Sequence, residues 1–161
     1  MADRDDVCVL LPAYNEAATS EPVIEGFRQE GFENVLVIDG GSTDDTYALA
    51  EAAGAGVVEQ SGDGKGQAIR EAVRRYIEAP YVLMADADET YRAEAADRML
   101  DPLFEERAEH VIGDRFADMK PGAMTRLNQV GNGIINGAFS LIHGHDYADI
   151  LSGYRAFTRE S

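Results

Sequence analysis

The sequence predicts an α/β fold built on a mostly parallel sheet. Short apolar runs of strand length alternate with segments of helical period along the chain. Each run is followed by a tail of polar residues and glycines. That is the pattern expected where ligands gather at the carboxyl ends of parallel strands. The sharpest such tail is Asp86-Ala87-Asp88, directly after the apolar run 81–85.

Residues 7–11 predict a strand ended by Pro12, and 21–30 a helix with Ser20 as N-cap and Pro22 in its first turn. A strand is expected at 35–38, a helix at 44–53 ended by Gly54 and Gly56, and a short strand at 57–58. Residues 67–77 place Ala68, Ile69, Ala72, Val73 and Tyr76 on one helical face. A strand at 81–85 leads to a helix at 93–104, with Met99, Leu100 and Leu103 as core contacts, and then to a strand at 111–112. Residues 124–142 read as a long helix, although Gly131, Gly133 and Gly137 interrupt it. Residues 149–157 read as loop and strand. The chain carries no internal repeat and no linker, so one domain over residues 1–161 is expected. It is large enough to bury a core.

Composition narrows the function. Thirty Asp and Glu face 14 Lys and Arg, a formal net charge of -16. Such a surface repels nucleic acid and anionic lipid, so neither is an expected generic partner. The acids are dispersed rather than gathered in a tail, which suits a surface adapted to high salt and resembles proteins of salt-accumulating halophiles. Cys8 is the single cysteine and sits inside an apolar run, as a small core residue would. No apolar stretch reaches the length of a membrane span, and no signal region opens the chain. A cytoplasmic protein is expected, placed at most peripherally on the cytoplasmic membrane face.

Three tails carry chemistry. Two carboxylates one residue apart at a strand's end repel one another unless a cation sits between them. Hard oxygen ligands suit Mg²⁺ or Mn²⁺, and Mg²⁺ is commonly held by one or two carboxylates plus substrate phosphates. An Asp-rich turn is the plainer alternative in so acidic a chain. The run from Gly62 to Gly66 opens a helix, where backbone N–H groups favour anions. It lacks the spacing of a P-loop. Within it stands Lys65, one of only two lysines. Asp39 precedes a Gly-Gly turn, where a carboxylate can accept hydrogen bonds from a base or ribose, or simply cap the turn. His110, His143 and His145 are too scattered to predict a metal cluster.

Taken together, the ordered motifs Leu-Leu-Pro-Ala-Tyr-Asn-Glu, Val-Ile-Asp-Gly-Gly-Ser-Thr-Asp-Asp-Thr, Gly-Lys-Gly-Gln-Ala-Ile, Met-Ala-Asp-Ala-Asp, Ile-Gly-Asp-Arg-Phe and Ser-Gly-Tyr-Arg-Ala-Phe resemble family 2 glycosyltransferases. Within them the chain looks most like the polyprenyl-phosphate (dolichol-phosphate) sugar synthases. The resemblance spans residues 7–157. It implies the GT-A fold, a Rossmann-like three-layer α/β/α sandwich. It also implies an inverting, metal-dependent transfer of a hexose from a UDP- or GDP-linked sugar to a polyprenyl phosphate. Relatives continue beyond the Ser-Gly-Tyr-Arg-Ala-Phe segment, so a catalytic domain truncated at its C-terminal end is expected.

By the same resemblance Pro12, Ala13, Tyr14 and Glu16 line the nucleotide pocket, and Asp39 contacts the base. Relatives usually carry a second Asp where Gly40 stands, and a Gln where Glu89-Thr90 follows the metal site. Asp88 is the more direct metal ligand, with Asp86 reaching ribose or metal. Lys65 borders the donor diphosphate. Arg115 and Arg126 address donor or acceptor phosphates, a role guanidinium forks suit. Asp149 corresponds to an acidic residue beside the reaction centre that orients or deprotonates the acceptor, and Ser152 and Arg155 bind phosphate.

Three rivals remain at this level. A nucleotidyltransferase would carry a basic glycine-rich loop where this chain has Pro-Ala-Tyr-Asn-Glu. A transferase with a saccharide acceptor shares the donor motifs, and so does a nucleotide-sugar-binding domain without turnover.

Overall fold

The computed structural model describes residues 2–88, 92–113 and 153–161. The helix expected at 124–142 lies outside them, as do Arg115, Arg126, Asp149, Ser152, Glu89, Thr90, His143 and His145. Six strands form one sheet: β1 (Val7–Ala13), β2 (Val35–Asp39), β3 (Gly56–Glu59), β4 (Tyr81–Met84), β5 (His110–Ile112) and β6 (Arg155–Thr158). Their order across the sheet is β3-β2-β1-β4-β6-β5. β1 pairs in parallel with β2 and β4, and β2 with β3. β6 runs antiparallel between β4 and β5.

The helices are α1 (Ser20–Gln29), α2 (Thr46–Ala52), α3 (Lys65–Arg75) and α4 (Ala96–Phe104). Alternation along β1 sorts two cores. Val7, Val9 and Leu11 face Ile24, Phe27, Ala50, Leu100 and Leu103 from α1, α2 and α4. Cys8 and Leu10 face Ala68 and Ala72 of α3. Both faces of the central strand are therefore dry, which is why it reads as an unbroken apolar run. Phe27 and Phe32 meet edge to face at 6.2 Å, beneath the β1–β2 half of the sheet.

Several boundaries differ from expectation for identifiable reasons. β1 continues through Pro12 to Ala13, with Pro12 paired opposite Ile38; Ala13 O still accepts from Gly40 N–H at 2.9 Å. Thr19, not Ser20, is the N-cap of α1, and its hydroxyl donates to Ala87 O at 2.5 Å instead of closing the helix. Ser20 is wholly buried in the first turn. The helix expected at 44–53 begins at Thr46, because the Asp44 side chain accepts from Thr46 N–H at 3.0 Å in the turn before it. α3 begins two residues early, at Lys65, and ends at Arg75. Tyr76 consequently falls off the buried face and is 43 % exposed. The helix expected at 93–104 opens as a 3₁₀ turn, Ala93–Ala95. Its expected contacts Met99, Leu100 and Leu103 are all buried.

Chain order sets where the sheet opens. The chain steps outward from β1 to β2 to β3, then returns to place β4 on the other side of β1. Connections leaving β1 and β4 therefore diverge and open a crevice at the carboxyl edge of the sheet.

Candidate active site

A cleft of about 740 Å³ occupies that crevice. Its wall begins at the end of β1 with Pro12 and Ala13 and continues into the following turn with Tyr14 and Glu16. Asn15 has a left-handed backbone, φ 52°, a conformation Asn tolerates better than most residues. The turn is held by the loop after β2. Asn15 N–H donates to Ser42 Oγ at 2.9 Å, and Asn15 Oδ1 accepts from Thr43 N–H at 2.8 Å. Glu16 N–H donates to Thr46 Oγ1 at 2.8 Å, and Ala17 N–H to Asp44 Oδ2 at 3.2 Å. The Thr46 hydroxyl, the Thr46 N–H and the Ala17 N–H together hold the Asp44 carboxyl below its ordinary pKa, the hydroxyl contributing most.

Asp39 ends β2 with only 3 % of its surface exposed. Its Oδ2 accepts from Gly41 N–H at 3.2 Å and Ser42 N–H at 2.9 Å, and its Oδ1 from the Ser42 hydroxyl at 2.5 Å. A carboxylate has about four acceptor positions, so most are spent on the turn. The cleft surface here comes instead from Gly40, Gly41 and Gln60.

The loop after β3 forms the next side. Gln60 N–H donates to Asp39 O at 2.8 Å. Glu71, on the inner face of α3, accepts from both the N–H and the hydroxyl of Ser61 at 3.0 Å, while Arg75 approaches its other oxygen at 3.4 Å. These bonds, the Ser61 N–H foremost, keep the Glu71 carboxyl below its ordinary pKa. Gly64 then caps α3 with φ +88°, a conformation that favours glycine. No side chain caps this end and its first turn carries no acid, so the field of its N–H groups falls on the cleft.

Asp86 and Asp88 close the site. Both line the cleft. The Lys65 ammonium reaches across to form an ion pair with Asp86 Oδ1. Gly153 backs the same carboxylate: a Cβ there would collide with Asp86 Oδ2 and stand 2.8 Å from its Cγ. Next to it, Tyr154 is buried, its hydroxyl donating to Arg92 O at 3.2 Å; burial pushes its phenol pKa up. Gly153 thus packs directly against the Asp86 carboxylate. Arg155 lies in β6 opposite Met84 and Ile112, and is not among the described residues lining the cleft. No cluster of three or more His, Cys, Asp or Glu stands ready for a metal among the described residues. A cation here would take its remaining ligands from a bound anion or water, which fits the coordination habits of Mg²⁺ and Mn²⁺.

Gln60 and Glu71 are not singled out by the sequence, and Gly153 enters there only as part of the Ser-Gly-Tyr-Arg-Ala-Phe motif. Glu71 carries one signal that could have found it, an acid on a helix flank otherwise occupied by Ala68 and Ala72.

The strand order, the cleft at the switch point and the paired acids define a GT-A sheet. Residues 8–160 match the model of glycosyl transferase family 2, and the chain belongs to that family. It is 69 % identical to glycosyltransferase AglJ of Haloferax volcanii, over all of this chain and 53 % of that protein. To a dolichyl-phosphate hexose transferase of the same organism it is 34 % identical, over 97 % of this chain and 68 % of the other. Glucosyl-3-phosphoglycerate synthase from Mycobacterium tuberculosis, solved with Mn²⁺ and UDP-glucose, superposes with a TM-score of 0.77 at 26 % identity. That match covers 96 % of this chain and 56 % of the synthase. The chain spans about half the length of the first of these relatives. Among the described residues, no helix is long and apolar enough to cross a membrane.

Proposed function

We propose that this domain transfers a hexose, with inversion, from a UDP- or GDP-linked sugar to a polyprenyl phosphate at the cytoplasmic membrane face. The observation that carries the reading is the polarity of the cleft. A neutral stretch lies around Gly40, beside Ala13 and Gln60, and a charged stretch is made by the Lys65–Asp86 pair with Asp88; the acids Glu16 and Asp63 line the cleft as well. A nucleoside fits the first and a cation-bound diphosphate the second. The dolichyl-phosphate hexose transferase among the relatives supports the acceptor, and the Mn²⁺–UDP-glucose complex of the mycobacterial synthase supports the donor and metal.

Asp86 and Asp88 would hold Mg²⁺ or Mn²⁺, which when bound supplies charge neutralisation for the departing nucleoside diphosphate. Lys65 and the N–H groups opening α3 add positive potential at the same end, preorganised by Glu71 and Gly64. With a diphosphate present, Lys65 can exchange Asp86 for a phosphate oxygen. Arg115, Arg126, Ser152 and Arg155 are assigned to the phosphates by family resemblance, and Asp149 to orienting the acceptor. A phosphate monoester is already ionised near neutral pH, so the acceptor needs aim more than deprotonation.

Calorimetric titration with UDP- and GDP-sugars, with and without Mn²⁺, tests the reading. Binding that strengthens at least tenfold with Mn²⁺ and loses that gain in Asp88→Asn is expected. Equal binding with and without metal, or in the variant, would refute it.

A further inference from the structure

Resting on that donor reading, we propose that Gln60 selects the base, its carboxamide oxygen accepting the ring N–H of uracil or guanine and discriminating against adenine and cytosine. Three observations lead there. First, Asp39 presents little to a ligand, because its carboxylate is buried and bonded to Gly41 and Ser42. Second, residue 40 has no side chain, and a Cβ built there would stand 3.5 Å from Gln60 Oε1, 3.5 Å from Ala13 O and 3.7 Å from the Tyr14 Cβ. The missing side chain opens the cleft floor onto the Gln60 amide. Third, that amide is oriented. Its Nε2 donates to Gly64 O at 3.2 Å, and only the nitrogen can serve a carbonyl, which fixes the oxygen as the other edge. The backbone of Gln60 is itself tied to Asp39 O at 2.8 Å. Among the described residues no donor reaches Oε1.

A fixed acceptor is a chemical filter. Uracil N3 and guanine N1 carry a hydrogen; adenine N1 and cytosine N3 carry a lone pair at the matching position. The first two bases complete the bond. The other two set a lone pair against Oε1 and leave both groups unsatisfied in a partly desolvated pocket, which is the costly outcome. A neutral amide performs this selection without adding another negative charge to a cleft that already holds Glu16, Asp63, Asp86 and Asp88.

The test measures affinities of UDP, GDP, CDP and ADP in the presence of Mn²⁺, for the wild type and two variants. Wild type is expected to favour UDP or GDP over CDP and ADP by about tenfold or more. Gln60→Met keeps the volume, removes the acceptor and levels the ranking. Gln60→Glu keeps an acceptor, loses the bond to Gly64 O and retains the preference for ring N–H bases. A residue that merely braced the loop would lose affinity equally for all four nucleotides in both variants, and that result would overturn the assignment. An unchanged ranking in Gln60→Met would overturn it equally. Failure of the wild type to bind any of the four would instead sink the donor reading beneath it.

Discussion

Lys65, the first residue of α3, is ion-paired across the cleft with Asp86, the second residue after β4. The pair joins the glycine-rich loop to the acidic tail, two segments far apart in sequence. Lys65 is about half exposed and Asp86 about a quarter. Pairs that open to water are worth only about 0–1 kcal/mol. The contact therefore occupies the acidic part of the cleft without locking it. Removing the ammonium should have opposite effects on two ligands. Lys65→Met is expected to bind Mn²⁺ alone more tightly, by a few fold, because a competing cation is gone. The same variant is expected to bind the nucleotide diphosphate about tenfold more weakly. Mn²⁺ electron paramagnetic resonance and nucleotide calorimetry read the two separately. Parallel changes in both would contradict a shared role.

Gly153 is the second contact on the Asp86 carboxylate. A Cβ at 2.8 Å from Asp86 Cγ is far inside van der Waals contact, so Gly153→Ala must displace the carboxylate or the segment bearing it. The cost falls on the site, because Tyr154 and the β6 strand that come after it remain anchored by their own burial and pairing. Loss of Mn²⁺-dependent nucleotide binding is expected, with a thermal midpoint within a few degrees of wild type. Retained binding in this variant would show that the Asp86 position is not set from behind.

Legibility in the sequence depends on what each residue answers to. β1, β2 and β4 announce themselves because both faces of a central parallel strand are buried, which forces runs such as Val7 to Leu11. Asp86 and Asp88 are legible because they directly follow such a run. Boundaries are less readable where a side chain serves a distant partner: Thr19 bonds to Ala87 O, so the local capping pattern misleads. The roles of Gln60 and Glu71 are hidden for the same reason. Nothing local marks Gln60 as lying beside Gly40, or Glu71 as the acceptor for Ser61; both relations exist only after β2, β3 and α3 are packed together. Asp39 shows the converse. Its position after a strand is readable, whereas the saturation of its carboxylate by the following turn is not.

Glu71 offers a pH-dependent test of how the glycine-rich loop is held. Its carboxyl pKa is lowered in the folded protein, chiefly by the Ser61 N–H, next by the Ser61 hydroxyl and then by Arg75. A group whose folded pKa lies below its unfolded value stabilises the fold above the unfolded value, near the ordinary Glu pKa of 4.5. That contribution disappears as pH falls through the depressed folded pKa. Glu71→Gln preserves an acceptor for Ser61 but removes the titration. The variant is expected to lose stability at neutral pH and to show a shallower acid limb below about pH 4.5 in chemical denaturation. An acid limb identical to wild type would show that Ser61 and Arg75 do not stabilise the ionised carboxyl.

Salt should act on the whole molecule. With 30 acids against 14 bases, the folded chain concentrates a formal charge of -16 on a small surface. The folded state suffers more self-repulsion than the expanded chain, and screening relieves it. The Debye length shrinks from about 30 Å at 0.01 M to about 3 Å at 1 M. Three of the ion pairs among the described residues, Arg4–Asp97, Arg28–Glu33 and Arg107–Glu105, are exposed on both sides and have little to lose in salt. Relief of repulsion therefore wins over loss of pairing. The thermal midpoint is expected to rise steadily from dilute buffer to molar KCl, and most steeply at the low end, where the screening length still exceeds the spacing between surface charges. A midpoint that stays level across that range, or falls, would mean that the acidic excess does not limit the stability of this fold.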